Sequence, residues 1–233
     1  MQTAQQDVTA QSVPYRDVPG GQQWEAGDFA AAYALAVESG TVEGQLLAAR
    51  SAADQAVYRE TGSDASLAWL EASETAAQAA LALQPDGPLA AAATMALARA
   101  KGEAALHRGL LANSRLPGEL RTLFERVLEL QPGNPDALVA LGAWHLELTE
   151  RGVGWLYGGR RDDVLPLIER GVAAAPEQIN LRVEYAIALR ALGRADDAAA
   201  ELATAMSLTA VTAVDKLEQE RAARLLDGGD PPR

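Results

Sequence analysis

The stretch "RGVGWLYGGRR" at positions 151–161 sets two large rings, Trp155 and Tyr157, among three guanidinium groups, Arg151, Arg160 and Arg161. Aromatic residues are only 5% of the 233 residues and the net charge is −12, so two rings and three guanidinium groups in one short segment stand out in an acidic, ring-poor chain. Large aromatics and arginine are the side chains that most often anchor protein–protein contacts. Arginine also holds a carboxylate or phosphate through two parallel hydrogen bonds. Contact with a protein or peptide is therefore the first chemistry to expect here. The competing reading is that the rings cover an exposed end of the fold and the arginines neutralise neighbouring acids such as Asp162 and Asp163. The sequence leaves both open.

Constellations for bond-making chemistry are missing from the sequence. "GVGWLYGG" has glycines but no lysine and no strand before it, as a phosphate loop would need. Neither GxSxG nor HExxH occurs. His145 and Glu147 are two apart and project from different sides of a helix. Glu71 with Glu74, or Asp162 with Asp163, are ordinary on solvated helix faces and near helix starts. The chain has no cysteine and two histidines, which excludes thiolate sites and disulfides and argues against a histidine-rich metal centre. His145 reads as a packing residue, and His107 beside Arg108 as a solvated one. The expectation is a chain that is not an enzyme and carries no cofactor and no metal.

The elements that position the 151–161 segment are helices punctuated by proline. "LALQPDGPLA", "LELQPGNPDA" and "AAAPEQINL" place Pro85, Pro132 and Pro176 between apolar helical runs, 47 and 44 residues apart. Proline cannot continue a helix, because it lacks the N–H and clashes with the preceding turn. Asn134 then supplies a cap with Pro135 at the first helical position. Asp28 and Asp64 are expected to cap two earlier helices, and a long helix is expected from Gly87 to Leu111. Hydrophobic residues are 48% of the chain, much of that alanine, which suits helix axes packed closely.

Charge and terminal composition narrow the partners and the compartment. An acidic surface repels phosphate backbones, so nucleic acid is not an expected partner. No apolar run reaches the length of a membrane span. The polar start "MQTAQQDVTAQSVPYRDVPGG" is not a signal peptide. It reads as the beginning of a mature exported chain behind an added methionine, which predicts a periplasmic or otherwise exported protein, with the cytoplasm as the alternative.

One unit, "INLRVEYAIALRALGRADDAAAELATAMSL" (Ile179–Leu208), resembles a tetratricopeptide (TPR) repeat. Tyr185 and Ala186 stand at its large–small pair, Gly193 at the helix-ending glycine, and Ala198, Leu202 and Ala205 at the packing positions of its second helix. The same count from Pro132 gives Leu141 and Gly142; counting backward gives Phe124 and Val127, then Ile168 and Gly171. The resemblance spans roughly residues 27–208 and is strongest from Leu120 on. It implies an all-α right-handed superhelix, a solenoid of stacked antiparallel helix pairs with about ten helices. The array would occupy 24–226 and include a capping helix near 211–226, with a flexible segment at 1–23 and a tail at 227–233. In TPR arrays the first helix of each pair lines a concave face. That register assigns Arg99, Asp136, Val139, Asn180, Val183, Ile187 and Arg190 to it.

The resemblance implies a non-enzymatic scaffold that binds a peptide or partner protein. The exported start, the overlong repeats and the "LGAWH" segment are also similar to the helical-repeat periplasmic T-component of TRAP-type transporters and to exported bacterial repeat proteins with a comparable segment. That likeness implies the alternative of a small-ligand or transport accessory protein with an apolar pocket in the array. Val214, Leu217, Ala222 and Leu225 of the last helix are expected to dock on the preceding helix, so a monomer or weak oligomer is expected.

Overall fold

The computed structural model describes residues 15–109 and 112–229, and these are helical, with no strand among them. The helices run α1 (Gly21–Ala26), α2 (Phe29–Val37), α3 (Val42–Tyr58), α4 (Ser63–Ala82), α5 (Gly87–Arg108), α6 (Leu116–Leu130), α7 (Pro135–Glu150), α8 (Gly154–Tyr157), α9 (Val164–Ala174), α10 (Ile179–Ala191), α11 (Ala195–Ser207) and α12 (Ala213–Leu226). Ten of these have nine residues or more, in line with the helix number expected. α5 ends at Arg108, and Leu111, the expected end, lies outside the described residues.

Cap chemistry sets several of the helix starts. Asp28 accepts from the Ala31 N–H at 3.2 Å, Thr41 from Gly44 at 3.1 Å and Asn134 from Ala137 at 2.9 Å. Thr212 and Asp215 form a reciprocal capping box at α12. Each such bond satisfies an N–H that the first turn leaves unpaired, worth about 1 kcal/mol. Asp64 does not cap α4. That helix begins one residue earlier, at Ser63 behind Gly62, and Asp64 falls in its first turn, where its charge still favours the positive helix end.

Consecutive helices pack against one another, and alternate helices α3, α5, α7, α10 and α12 form one layer of the array. Alanine dominates the α3–α5 core, with Ala48, Ala52, Ala77, Ala93 and Ala98 all fully buried. Small side chains also let α7 and α9 approach. A Cβ on Gly142 would lie 2.6 Å from Ile168 Cγ1, and one on Gly171 would lie 2.7 Å from Val139 Cγ2 and 2.8 Å from the Pro135 carbonyl oxygen. The leucine–glycine pair of the sequence is thus a close helix crossing.

The first and last of the described helices, α1 and α12, meet. Ala222 and Leu225 of α12 join the α10–α11 core as expected, whereas Val214 and Leu217 pack instead with Trp24, Phe29 and Leu47 at the N-terminal end. α12 turns one stripe to each neighbour because its apolar residues are spread over two faces. Gly27 (φ +86°) permits the contact, since a Cβ there would sit 2.9 Å from Ala213 Cβ. Residues 15–23, expected to be part of a flexible segment, are folded: a turn from Tyr15 leads into α1, and Tyr15 and Val18 pack on the N-terminal core.

Candidate functional site

The 151–161 segment forms a pinched loop on the end of α7. Gly158 (φ +83°) and Gly159 both donate their N–H to the Gly154 carbonyl at 2.8 Å. A Cβ on Gly154 would come within 2.7 Å of the Gly159 oxygen, and one on Gly159 within 3.0 Å of Leu148 Cβ. A side chain at Gly154 would force the loop open, and one at Gly159 would press on Leu148. The Arg160 N–H donates to Nδ1 of buried His145 at 3.0 Å, so the imidazole must carry its proton on Nε2 to accept there. Burial lowers the His145 pKa, Arg121 and Arg160 lower it further, and Asp163 opposes them. His145 packs, as its repeat position predicts, and it also anchors the loop.

This scaffold turns its rings in opposite directions. Tyr157 packs on the Trp144–Leu148 core. Trp155 is 83% exposed and Leu156 56% exposed, and together they form an apolar knob on a fixed backbone. The arginines are paired: Arg151 with Glu147, Arg161 with Glu150 at 2.8 Å, and Arg160 with Asp163 at 3.1 Å. The guanidinium groups neutralise local acids and Tyr157 covers the core, while Trp155 covers nothing among the described residues.

The positions assigned to a concave face divide four ways. Arg99 and Asp136 lie on α5 and α7, in the alternate-helix layer. Ile187 and Arg190 line a cleft of about 230 Å³ with Ala186, Ala191, Leu202 and Leu225, and Arg190 also donates to the Leu225 carbonyl at 2.6 Å. Asn180 is partly exposed at the start of α10. Val139 and Val183 are not on an open face. Val139 is buried against Gly171 of α9, and Val183 is buried in the α10–α11–α12 core. The register places them one stripe too far toward the open side, because α9 and α11 cover that side of α7 and α10.

A buried polar network holds the layer together, and no local pattern of residues announces it. Asp54 is fully buried and accepts from Trp24 Nε1 at 2.7 Å, Arg50 Nε at 2.8 Å and an Arg99 Nη at 2.7 Å. Glu218, 2% exposed, accepts from the Tyr58 hydroxyl and from Arg221 at 3.3 Å, and Arg221 also reaches Glu184 at 2.9 Å. Burial raises the Glu218 pKa against the opposing pull of Arg221 and the Tyr58 hydrogen bond; burial first, then Glu218 and Asp54, raise that of Tyr58. Tyr58 and Glu218 are 160 positions apart, so this bond joins the third helix to the last. The carboxylates here are occupied by donors and balanced by guanidinium charge, an arrangement that clamps rather than one that transfers protons.

Among the described residues no group of histidines and acids could hold a metal ion, and no helix is long and apolar enough to cross a membrane. No protein-family model matches the chain, and no curated protein matches it.

Proposed function

We propose that the protein is a non-catalytic, TPR-like scaffold that binds a partner protein through the Trp155–Leu156 knob. The observation carrying this reading is an 83% exposed tryptophan on a loop fixed by glycine pinching and by the His145 hydrogen bond. A mobile tip could expose a ring by chance. Here the backbone is held in one shape, which lowers the ordering cost of association. Exposed apolar surface of this kind marks contact sites on soluble proteins, and buried tryptophan is the commonest hot spot once a partner covers it. The partner it fits has an apolar pocket of indole size rather than an anionic face, since Arg151, Arg160 and Arg161 already have carboxylates.

The experiment is site-specific photocrosslinking from Trp155 in native cell extract, followed by affinity measurement with the purified partner. Trp155→Ala should weaken binding about 30-fold, the factor for a hot spot near 2 kcal/mol, and Arg160→Ala by less than threefold. Equal affinity of wild type and Trp155→Ala for that partner would remove the knob from the interface.

A second reading, the small-ligand accessory protein, has the apolar cleft between α10 and α12 in its favour. At about 230 Å³ it falls below the 300–1,000 Å³ typical of small-molecule sites, so it would take a fragment-sized apolar group beside Arg190.

A further inference from the structure

The N-terminal turn lies on the same layer that carries Arg99 and Asp136. Tyr15 packs against the cluster of Leu46, Ala80 and Ala93 and meets Trp24 edge-on, with ring centroids 6.0 Å apart. Burial raises the pKa of its phenol, and the charges acting on that phenol are Arg50 and Asp54 from α3, Asp136 from α7 and Arg99 from α5. Two of these are positions that the repeat register assigned to the ligand-bearing face. By contact, the turn covers Leu46 of α3 and Ala93 of α5, on the layer to which Arg99 belongs.

The turn is fitted closely and attached by little. Tyr15 has φ +77°, a region that side-chain-bearing residues rarely adopt and that bulky ones adopt only under constraint. Gly20 has φ +93°, and a Cβ there would approach the Ala32 carbonyl oxygen to 2.5 Å; a Cβ on Gly21 would overlap the Tyr15 carbonyl oxygen. The backbone bonds of the turn are internal: Val18 N–H to Tyr15 O at 2.9 Å and Gly21 N–H to Val18 O at 2.8 Å. Among the described residues no backbone bond runs from it to α3, α5 or α7. Its one ion pair among the described residues, Arg16 with Glu25 at 3.3 Å, is exposed and stays within the N-terminal segment. On its outer side an open cleft of about 530 Å³, lined by residues 16–23 and Leu35, leaves room for the turn to move. Side-chain packing holds it over the layer: Tyr15 on the Leu46–Ala93 cluster, and Val18 with Tyr15 on the N-terminal core.

We propose that Tyr15–Gly20 is a displaceable strap, an intramolecular ligand on a binding face of α3 and α5, and that this face takes an extended peptide segment inserting a tyrosine-like side chain where Tyr15 now sits. The resident occupant defines the chemistry. The ring needs the apolar floor of Leu46 and Ala93, and its neutral polar tip lies among charges of both signs. A charged tip is disfavoured because Asp54 is already saturated by three donors and both of its arginines are engaged. Displacement is helped by releasing the left-handed conformation at Tyr15. The strap concerns a different face from the Trp155 knob, so either idea can fail alone.

The test uses a fluorescein-labelled peptide copying residues 11–20, QSVPYRDVPG, titrated into full-length wild type and full-length Tyr15→Ala and read by anisotropy. Circular dichroism first verifies that the variant keeps its helix content. The peptide should bind Tyr15→Ala saturably and at least tenfold more tightly than wild type, whose own strap competes, and the same peptide with alanine for tyrosine should not bind. Amide exchange at Val18 and Gly21 should be at least 100-fold faster than in the middle of α3 in the wild type. It should quicken further in Tyr15→Ala while α3 and α5 protection stays unchanged. Equal peptide binding by both proteins, binding by neither, or exchange at Val18 and Gly21 as slow as in α3 would overturn the proposal.

Discussion

Replacing Asp54 with alanine should remove several kcal/mol of stability from a residue that contributes no apolar area. The carboxylate accepts one indole N–H and two guanidinium N–H groups, all within 2.8 Å, and is wholly out of water. Its loss strands two cations and one neutral donor. Breaking a buried ion pair from one side costs about 3–5 kcal/mol, and an orphaned buried N–H costs about 1–3 kcal/mol. The side chains of Arg50 and Arg99 remain 31% and 24% exposed, so water recovers part of the first cost and a total of about 3–4 kcal/mol is the working figure. In a chain of this length that corresponds to a fall in Tm of about 10 °C. Asp54→Asn keeps the shape and one accepting oxygen, and should lose roughly half as much. Glu129→Ala, which removes the exposed partner of Arg126, should cost at most about 0.5 kcal/mol. Urea unfolding followed by circular dichroism measures all three. A loss under 1 kcal/mol for Asp54→Ala, or one no larger than that of Glu129→Ala, would mean that water replaces the carboxylate and that the network does not clamp the layer.

Two further outcomes follow from the geometry. Gly142→Ala should destabilise by about 1–3 kcal/mol, the usual cost of overpacking, because its methyl meets Ile168 and the Val164 carbonyl. Gly102→Ala, mid-helix in α5 with open space where the methyl would go, should stabilise by about 0.5–1 kcal/mol; an unchanged or raised urea midpoint for Gly142→Ala would refute the α7–α9 contact. The His145 anchor should be acid-sensitive: its folded pKa lies below the ordinary 6.5, so its contribution is complete above that value and is lost as pH falls through the folded pKa. Amide exchange at Gly158, Gly159 and Arg160, corrected for intrinsic rate, should quicken between pH 7 and pH 5 in the wild type. It should lose that dependence in His145→Asn, whose side-chain oxygen accepts without titrating. A flat profile in the wild type would show that the imidazole does not hold the loop.

What the sequence makes legible is set by the range of the interaction that decides each feature. Pro132 and Pro176, the Asn134–Pro135 start and the Leu141–Gly142 pair act within one helix turn or at one crossing, and they read directly as stacked helices. The exposed tryptophan was findable too, as a residue type out of place in an acidic, ring-poor chain, although nothing local says that Trp155 faces water while Tyr157 turns inward. That division comes from Gly154, Gly158 and Gly159 against Leu148, a set of approaches visible only once α7 is in place. Asp54 and Glu218 look like any acids on amphipathic helices; their partners Arg99 and Tyr58 lie 45 and 160 positions away, beyond any local pattern. Val139 and Val183 were misplaced for a related reason. A repeat register gives the stripe facing the next unit, but the boundary of that stripe depends on how closely α9 and α11 are drawn in, and Gly171 draws α9 in.

These contacts bear together on where a partner can reach the array. A chain lying along the α3–α5–α7 layer meets Tyr15 first, and further along the same layer it meets α12, which is bonded to α3 through Tyr58 and Glu218. Both obstacles are parts of this chain, and both are held by side chains rather than by backbone ladders. The knob at Trp155 has no such obstacle. It stands at the far end of α7, fixed by backbone bonds and by a buried imidazole, with its arginines already neutralised. First contact is therefore expected at the knob, through apolar burial with weak dependence on salt, because paired rim charges steer association little. Access to the inner layer is expected only with the strap displaced. An association rate with the crosslinked partner that fell steeply between 50 and 500 mM salt would contradict this order, since it would require unpaired charge at a place where each of the three insert arginines has a carboxylate.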